Sequence, residues 1–361
     1  MNNPYTVTHA DISEVIQTLS RRLREDYVFP DVAEKICNNL KKNYDKGIFN
    51  CVTEGESLAT TLTGYLREVT SDNHLKVTYH KDMIPEQEGS LGENQDWQDE
   101  WHKKARLDNY GLHKAERLSG NVGYLDIREF YPLDWGGDTA SAAMNFINET
   151  NALILDLRKC RGGDPGMVCF LLTYFFGEER VHLNDFYWRR GSITEQYWTL
   201  PDVPGKRFSE KPVYILTSAE TFSGGEQFAY NLKALKRATL IGEKTGGGAN
   251  IGAPFRLTSH FEVFIPVGRA VNPITGTNWE GSGVIPDILT TKEQSFTCAY
   301  SLALKTFISS QGELNLEPLT RLQEEVRRVS QELEDSLSTF EDPQVPEGIE
   351  PSVKSNQVEE L

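Results

Sequence analysis

Clustered basic charge and paired cysteines are what this 361-residue sequence lacks. Its 37 Lys and Arg are outnumbered by 53 Asp and Glu, for a net charge of -16, and no basic stripe interrupts the acidic balance. Binding to nucleic acid requires clustered cations to neutralise phosphates, so nucleic acid is not an expected partner. Residues 311–361 hold 13 acids against 4 bases, which leaves the body of the chain only mildly acidic. The five cysteines, at 37, 51, 160, 169 and 298, are odd in number and contain no CxxC pair. That excludes a disulfide framework and a structural zinc site, and makes a reducing, cytoplasmic location the expectation. There is no HExxH and no His/Cys cluster, so no metal is expected. The run Gly242-Glu-Lys-Thr-Gly-Gly-Gly lacks the GxxxxGK[ST] of a phosphate loop, so no nucleotide cofactor is expected either. No run approaches the roughly 18 apolar residues of a membrane span, and the first residues lack a basic region followed by an apolar one, so neither a membrane partner nor a leader is expected.

What is present is core-forming material: 38% of residues are hydrophobic and 10% aromatic. The length suggests two units plus a tail. Ile12, Val15, Ile16, Leu19 and Leu23 fall at helical spacing, and 30–46 and 54–70 repeat the signature, which predicts an N-terminal helical domain over 1–75. Residues 74–79 read as a strand. Within a connecting segment over 76–119, the polar stretch 81–118 is expected to be irregular. From 120 the texture changes to short apolar runs at 122–130, 152–157, 213–217 and 238–242, separated by helical stretches near 138–149, 165–176 and 224–236. Strand-helix alternation of this kind predicts an α/β core over 120–310 with largely parallel pairing, and 261–272 reads as a further hairpin or strand pair. Leu319, Leu322, Val326, Val329, Leu333, Leu337 and Phe340 predict an amphipathic helix over 311–340. Its apolar stripe, at 319–340, offers a surface for self-association. The Pro- and Glu-rich residues 341–361 predict a disordered acidic tail.

Four motifs are candidates for chemistry. Val213-Tyr-Ile-Leu-Thr-Ser-Ala-Glu-Thr-Phe-Ser-Gly-Gly-Glu-Gln is a buried strand running through a short loop into a helix, with Ser223 at the helix start. There a serine hydroxyl lies beside unpaired N–H groups and the positive end of the helix dipole, an arrangement that stabilises a developing oxyanion. Ser-Gly-Gly-Glu is equally a capping box, in which Ser223 and Glu226 serve only the helix. Leu155-Asp-Leu-Arg-Lys-Cys-Arg-Gly-Gly ends a second strand in paired glycines, so Gly162 or Gly163 can offer an oxyanion donor beside Gly224, or merely make a tight turn. A serine nucleophile needs a base, and His74 in Asp72-Asn-His-Leu, at the end of a helix-strand loop, is the leading choice, with His80 the weaker competitor. An orienting carboxylate is available from Glu280 or Asp287 in Asn278-Trp-Glu-Gly-Ser-Gly-Val-Ile-Pro-Asp.

Taken in order, these motifs, with Val122-Gly-Tyr-Leu, resemble the S41 serine peptidases, which include tail-specific proteases, the tricorn core and the modules of interphotoreceptor retinoid-binding protein. The resemblance spans about residues 10–295. It implies a crotonase-like ββα spiral preceded by a helical domain, with the active site between them. About 45 residues separate His74 from Gly120, too few for the PDZ insert of tail-specific proteases, which makes the retinoid-binding-protein-like branch the nearest. Tail-specific proteases pair serine with a lysine whose aligned position here is Gly248, although Lys244 lies nearby. The tricorn-like branch uses serine, histidine and glutamate, which map onto Ser223, His74 and Glu280. Its fourth member, a serine before the histidine, is Asn73 here, so Asp72 and Asn73 are carried over as supporting residues. The implied activity is cleavage of peptide or protein substrates through an acyl-enzyme on Ser223, with Gly224 and Gly163 or Gly162 holding the oxyanion and no cofactor. The alternative is a non-catalytic carrier of retinoid- or lipid-like ligands on the same fold.

Overall fold

The structure is a computed structural model that describes residues 6–86 and 89–310 and, beyond these, 324, 326–329, 331 and 332. Three helices open the chain: α1 (His9–Asp26), α2 (Pro30–Asp45) and α3 (Gly55–Thr70). α1 starts at a capping box, Thr8 Oγ1 accepting the Asp11 N–H while the Asp11 carboxylate accepts that of Thr8, and α2 starts with Pro30, whose missing N–H costs nothing in a first turn. The expected helices are therefore present. They do not bury their apolar stripes on one another alone, however. Strand β1 (Lys76–Tyr79) follows α3, and the remaining elements in chain order are α4 (Gln95–Leu107), β2 (Leu112–Leu118), β3 (Val122–Ile127), α5 (Leu133–Ile147), β4 (Ala152–Asp156), α6 (Pro165–Thr173), β5 (His182–Trp188), β6 (Ile193–Trp198), β7 (Val213–Thr217), α7 (Gly224–Ala234), β8 (Thr239–Gly242), β9 (Gly252–Arg256), β10 (Phe261–Pro266), β11 (Gly268–Val271), β12 (Ile288–Leu289) and α8 (Gln294–Ser310). β1 pairs with β10, and β10 with β9, so that Phe255, Phe261, Val263 and Ile265 close the core begun by Leu19, Leu40 and Leu62. The N-terminal unit is completed by a hairpin from nearly two hundred residues downstream.

The central sheet runs β12-β8-β7-β4-β3-β2, parallel throughout except for β2. Side chains alternate across it as strand geometry requires. Leu153, Leu155, Val213 and Ile215 face α5, α6 and α7 in one core, while Ile154, Tyr214 and Leu216 face Ala299, Ala303 and Leu304 of α8 in another. Burial on both faces explains why these strands read as unbroken apolar runs rather than alternating ones.

Two expectations are corrected. Residues 261–272 do form two strands, but not a hairpin: β10 and β11 are separated only by Val267 and belong to different sheets, β11 pairing with β5. The stretch 81–118 is not irregular, since α4 and β2 occupy much of it. Asn94 caps α4 by accepting the Trp97 N–H, and Trp97 and Trp101 sit at i, i+4 on a helix too polar to betray itself by apolar periodicity. Of the expected helix over 311–340, most lies outside the described residues. Those that are described are helical, and Val326 and Val329 are buried against the α8 face of the sheet. The tail, 341–361, lies wholly outside them. No helix among the described residues is long and apolar enough to cross a membrane.

Phe228 of α7 is fully buried between Phe130, 5.7 Å away, and Phe175, 6.0 Å away. Phe228→Ala should lower the unfolding free energy by about 3–5 kcal/mol, measured by urea denaturation; a loss below about 1 kcal/mol would show that this packing does not hold the sheet to its helices.

Candidate active site

Each candidate side chain reaches the site through a short, heavily tied loop. α3 ends at Ser71 in the left-handed conformation, φ 55°, and the chain turns into β1 through Asp72, whose Oδ1 accepts the His74 N–H at 3.0 Å. Arg67 donates to the carbonyls of Asn73 and Leu75, fixing the turn that presents the imidazole. The loop after β7 is tied to the end of β4. Thr221 Oγ1 donates to the Leu157 carbonyl at 2.7 Å, Ser218 Oγ to that of Arg158 at 2.6 Å, and the Phe222 N–H to that of Cys160 at 2.9 Å.

Ser223 stands where this loop becomes α7, with φ 52° and ψ -120°. That is a glycine-favoured conformation, and a side-chain-bearing residue holds it at a cost of order 1–3 kcal/mol, as at the nucleophile elbows of strand-turn-helix hydrolases. The capping-box arrangement is also present, but its firm half is the carboxylate: Glu226 Oε2 accepts the Ser223 N–H at 2.9 Å, whereas the Ser223 hydroxyl makes no close cap hydrogen bond. Glu226 does more than cap. Fully buried, it also accepts from Thr245 Oγ1 at 2.5 Å and from the amides of Gly247 and Gly248 at 2.7 Å each. Burial pushes its carboxyl up to about 7, against four hydrogen bonds that favour the charged form.

The glycine pair ending the β4 loop abuts this elbow. A Cβ on Gly162, at φ 103°, would lie 2.6 Å from both the Gly224 nitrogen and Ser223 Cβ, and one on Gly163, at φ 127°, would lie 2.0 Å from the Phe130 oxygen. Only glycine fits either place. Neither the Gly163 nor the Gly224 amide has an acceptor among the described residues. Of the alternatives left open by the sequence, Gly163 and not Gly162 lines the same cavity as Ser223.

His74 is held between Phe222, with ring centroids 4.5 Å apart, and Phe264 at 5.9 Å. Gly248 lies against the same rings: a Cβ there would stand 2.3 Å from Phe222 Cζ and 2.6 Å from His74 Cε1. The imidazole thus fills the space beside the position aligned with the tail-specific lysine, and Lys244 is exposed, outside the site. Asp72, His74 and Glu280 offer ligand atoms all within 4.8 Å of one another. Asp72 is saturated, its Oδ2 accepting from Tyr27 at 3.1 Å and Asn250 at 2.9 Å. Glu280 Oε2 accepts the amides of Ala249 at 2.6 Å and Asn250 at 3.1 Å. Two buried atoms remain without partners, Glu280 Oε1 and His74 Nδ1. The cluster is also a donor set for a divalent cation. Burial, opposed by Asp72, lowers His74 to about 4, and burial with the nearby Asp72 charge raises Glu280 to about 7.

The remaining candidates lie elsewhere. Asp287 accepts the Leu240 N–H and pairs with Lys233 at the sheet edge, His80 faces Glu262 and Trp97, and Asn73 is exposed, donating to the Gly246 carbonyl. Ser223 and His74 open together on a cavity of about 680 Å³ walled by Trp97, Trp101, Phe222 and Phe264. The α4 wall was missed from the sequence, and the one signal for it was the two tryptophans four apart.

An α/β sheet with a helical N-terminal region, and a serine elbow, a histidine and free amides gathered at its strand ends, defines the class. The family follows from comparison. Residues 121–290 match the model of peptidase family S41, and residues 6–103 match that of the N-terminal domain of peptidase S41 in eukaryotic IRBP. The chain belongs to peptidase family S41. Among solved structures it is similar to a candidate peptidase of Parabacteroides merdae (20% identity, 81% of this chain and 96% of that one, TM-score 0.56). It is also similar to a lipoprotein of Streptococcus agalactiae (15% identity, 85% and 98%, TM-score 0.53). The tricorn protease shares the fold at 14% identity and a TM-score of 0.50, over 88% of this chain but only 37% of its own length.

Glu226 and the partly buried Glu280 should respond oppositely to amide substitution. Because Glu280 rises from an ordinary 4.5 to about 7, the folded protein keeps a proton that the unfolded chain has released, and stability falls as pH climbs from about 4.5 past 7. Glu280→Gln keeps the acceptor used by Ala249 and Asn250, and should gain on the order of 1–3 kcal/mol at pH 8. In Glu226→Gln the amide must face two of the four donors, which should cost on the order of 3 kcal/mol at the same pH. Urea midpoints of both variants check the contrast; equal shifts in one direction would contradict it.

Proposed function

We propose that the protein is a serine-type peptidase acting on peptide or protein substrates through a Ser223-His74-Glu280 acyl-enzyme mechanism. The reading is carried by one observation: Ser223 holds a strained strand-to-helix elbow beside two free amides, on a cavity that it shares with a histidine whose buried Nδ1 has no partner and whose ring comes within 4.8 Å of a glutamate. Ser223 Oγ attacks the carbonyl carbon while its proton passes to His74, and the oxyanion rests on the amides of Gly224 and Gly163. His74 then gives the proton to the departing amine, leaving an ester on Ser223. Water attacks that ester, its proton going by way of His74 to Ser223 as the acid product leaves. Glu280 orients the ring through Nδ1 and stabilises the imidazolium; Asp72 supports it by holding the His74 backbone and Asn250. Loss of one oxyanion donor would raise the barrier by about 3 kcal/mol.

The aromatic lining of the cavity favours a second reading, a carrier of apolar ligands without turnover. Treatment with a fluorophosphonate separates the two. A covalent adduct on Ser223, seen by intact mass and peptide mapping, absent in Ser223→Ala and at least a hundredfold slower in His74→Ala, is expected. A folded protein that takes no adduct would overturn the enzyme and leave the carrier.

A further inference from the structure

Beside the oxyanion amides lies a polar side chain that the acyl-enzyme mechanism leaves idle. Gln227 is only 3% exposed, and its Nε2 has no hydrogen-bond partner among the described residues. A buried donor without an acceptor weakens a fold, and is kept where its acceptor arrives later, with a water or a reacting group. The position of Gln227 selects between these. It is the fourth residue of α7, and its N–H donates to the Ser223 carbonyl at 2.9 Å, so the two residues stand one turn apart on one face of the helix. Helical side chains lean toward the N-terminus, which carries the Gln227 amide back toward the elbow. With Ser223, Gly163 and Gly224 it lines a slot of about 30 Å³, room for roughly one oxygen-sized group. The buried Phe186, Ala249 and Trp279 close that slot. Asn250 is the other side-chain amide on it, and its Nδ2 is already spent on Asp72 at 2.9 Å, leaving only an acceptor.

We infer that Gln227 is a further catalytic residue, whose Nε2 is the third donor to the oxyanion beside the amides of Gly163 and Gly224. This rests on the acyl-enzyme reading above and adds a residue to it. As Ser223 Oγ adds to the carbonyl carbon and its proton passes to His74, the C=O π pair moves onto the oxygen. A neutral carbonyl oxygen carries two lone pairs, which the two backbone amides can fill. The tetrahedral oxyanion carries a third, so the Gln227 bond is made chiefly as the charge develops and acts on the rate rather than on ground-state binding. Apolar walls keep water from screening that charge, which strengthens each donor.

Gln227→Met keeps the length of the side chain and removes the donor. In the full chain its second-order rate constant for fluorophosphonate labelling of Ser223 should fall on the order of a hundredfold, while the urea midpoint holds or rises, because an unsatisfied buried donor has gone. The readout that packing alone would not move is the charge on the adduct. Ser223 Oγ adds to the ketone carbon of a peptidyl trifluoromethyl ketone as its proton passes to His74, and a ¹³C label at that carbon lets NMR follow ionisation of the hemiketal oxygen. The hemiketal pKa should rise by about one unit or more in Gln227→Met, and further in Gln227→Glu, whose carboxylate is an acceptor facing the oxyanion. If the parent labels and Gln227→Met labels within about threefold of it, or labels slowly with a lower urea midpoint and an unmoved hemiketal pKa, Gln227 only packs the helix; the inference then falls and the serine chemistry stands. If the parent itself does not label, both fall.

Discussion

The site hangs on one buried carboxylate. Glu226 accepts the Ser223 N–H with one oxygen and shares its remaining capacity among Thr245, Gly247 and Gly248. It thereby locks the glycine loop after β8 to the start of α7. Several parts of the site rest on that loop. The bare Cα of Gly248 makes room for the His74 and Phe222 rings, the Gly248 carbonyl takes the Trp279 indole N–H at 2.7 Å, and the next two amides, Ala249 and Asn250, hold Glu280. Since all four partners of Glu226 are donors, both oxygens are needed as acceptors, which neither glutamine nor a shorter acid reproduces.

The proposed triad is gathered but not joined. His74 Nδ1 and Glu280 Oε1 are buried without hydrogen bonds, and the two side chains come within 4.8 Å of each other, while Asp72 spends its oxygens on Tyr27, Asn250 and the His74 backbone. Under the proposed mechanism, a substrate that pressed the imidazole toward Glu280 would convert two unsatisfied atoms into one charge-assisted bond. Catalytic hydrogen bonds of this sort commonly tighten only when the complex forms. Burial of an uncharged imidazole beside a carboxyl raised to about 7 also keeps the base in its neutral form in the free protein.

How much of this was legible depended on the range over which the residues act. The α/β core could be read because its strands, buried on both faces, leave unbroken apolar runs such as Ala152–Asp156 and Val213–Thr217, and the α1 stripe because its period is local. The elbow at Ser223 was visible as a motif, but its sequence suits a capping box equally well, and only the backbone angles show the strain. The turn's own residues left Glu280 and Asp287 open and the resemblance pointed to Glu280; the fold brings Glu280 to His74 and leaves Asp287 paired with Lys233. The completion of the N-terminal unit by β9 and β10 was hidden for the same reason: sequence patterns report local period, not the partner nearly two hundred residues away. α4 escaped because its polar composition masks the two tryptophans that wall the cavity.

The proposed mechanism needs His74 to serve Ser223 as a neutral base, and the pH dependence of the second-order rate constant for fluorophosphonate addition to Ser223 tests this most directly. Burial lowers His74 to about 4 and raises Glu280 to about 7, so the rate should drop in two steps as pH falls, a partial one near 7 that Glu280→Gln removes and a complete one well below the ordinary 6.5 of histidine, and His74→Ala should abolish the second together with most of the rate. A rate that rises only at alkaline pH, or a His74→Ala protein that labels as fast as the parent, would contradict it.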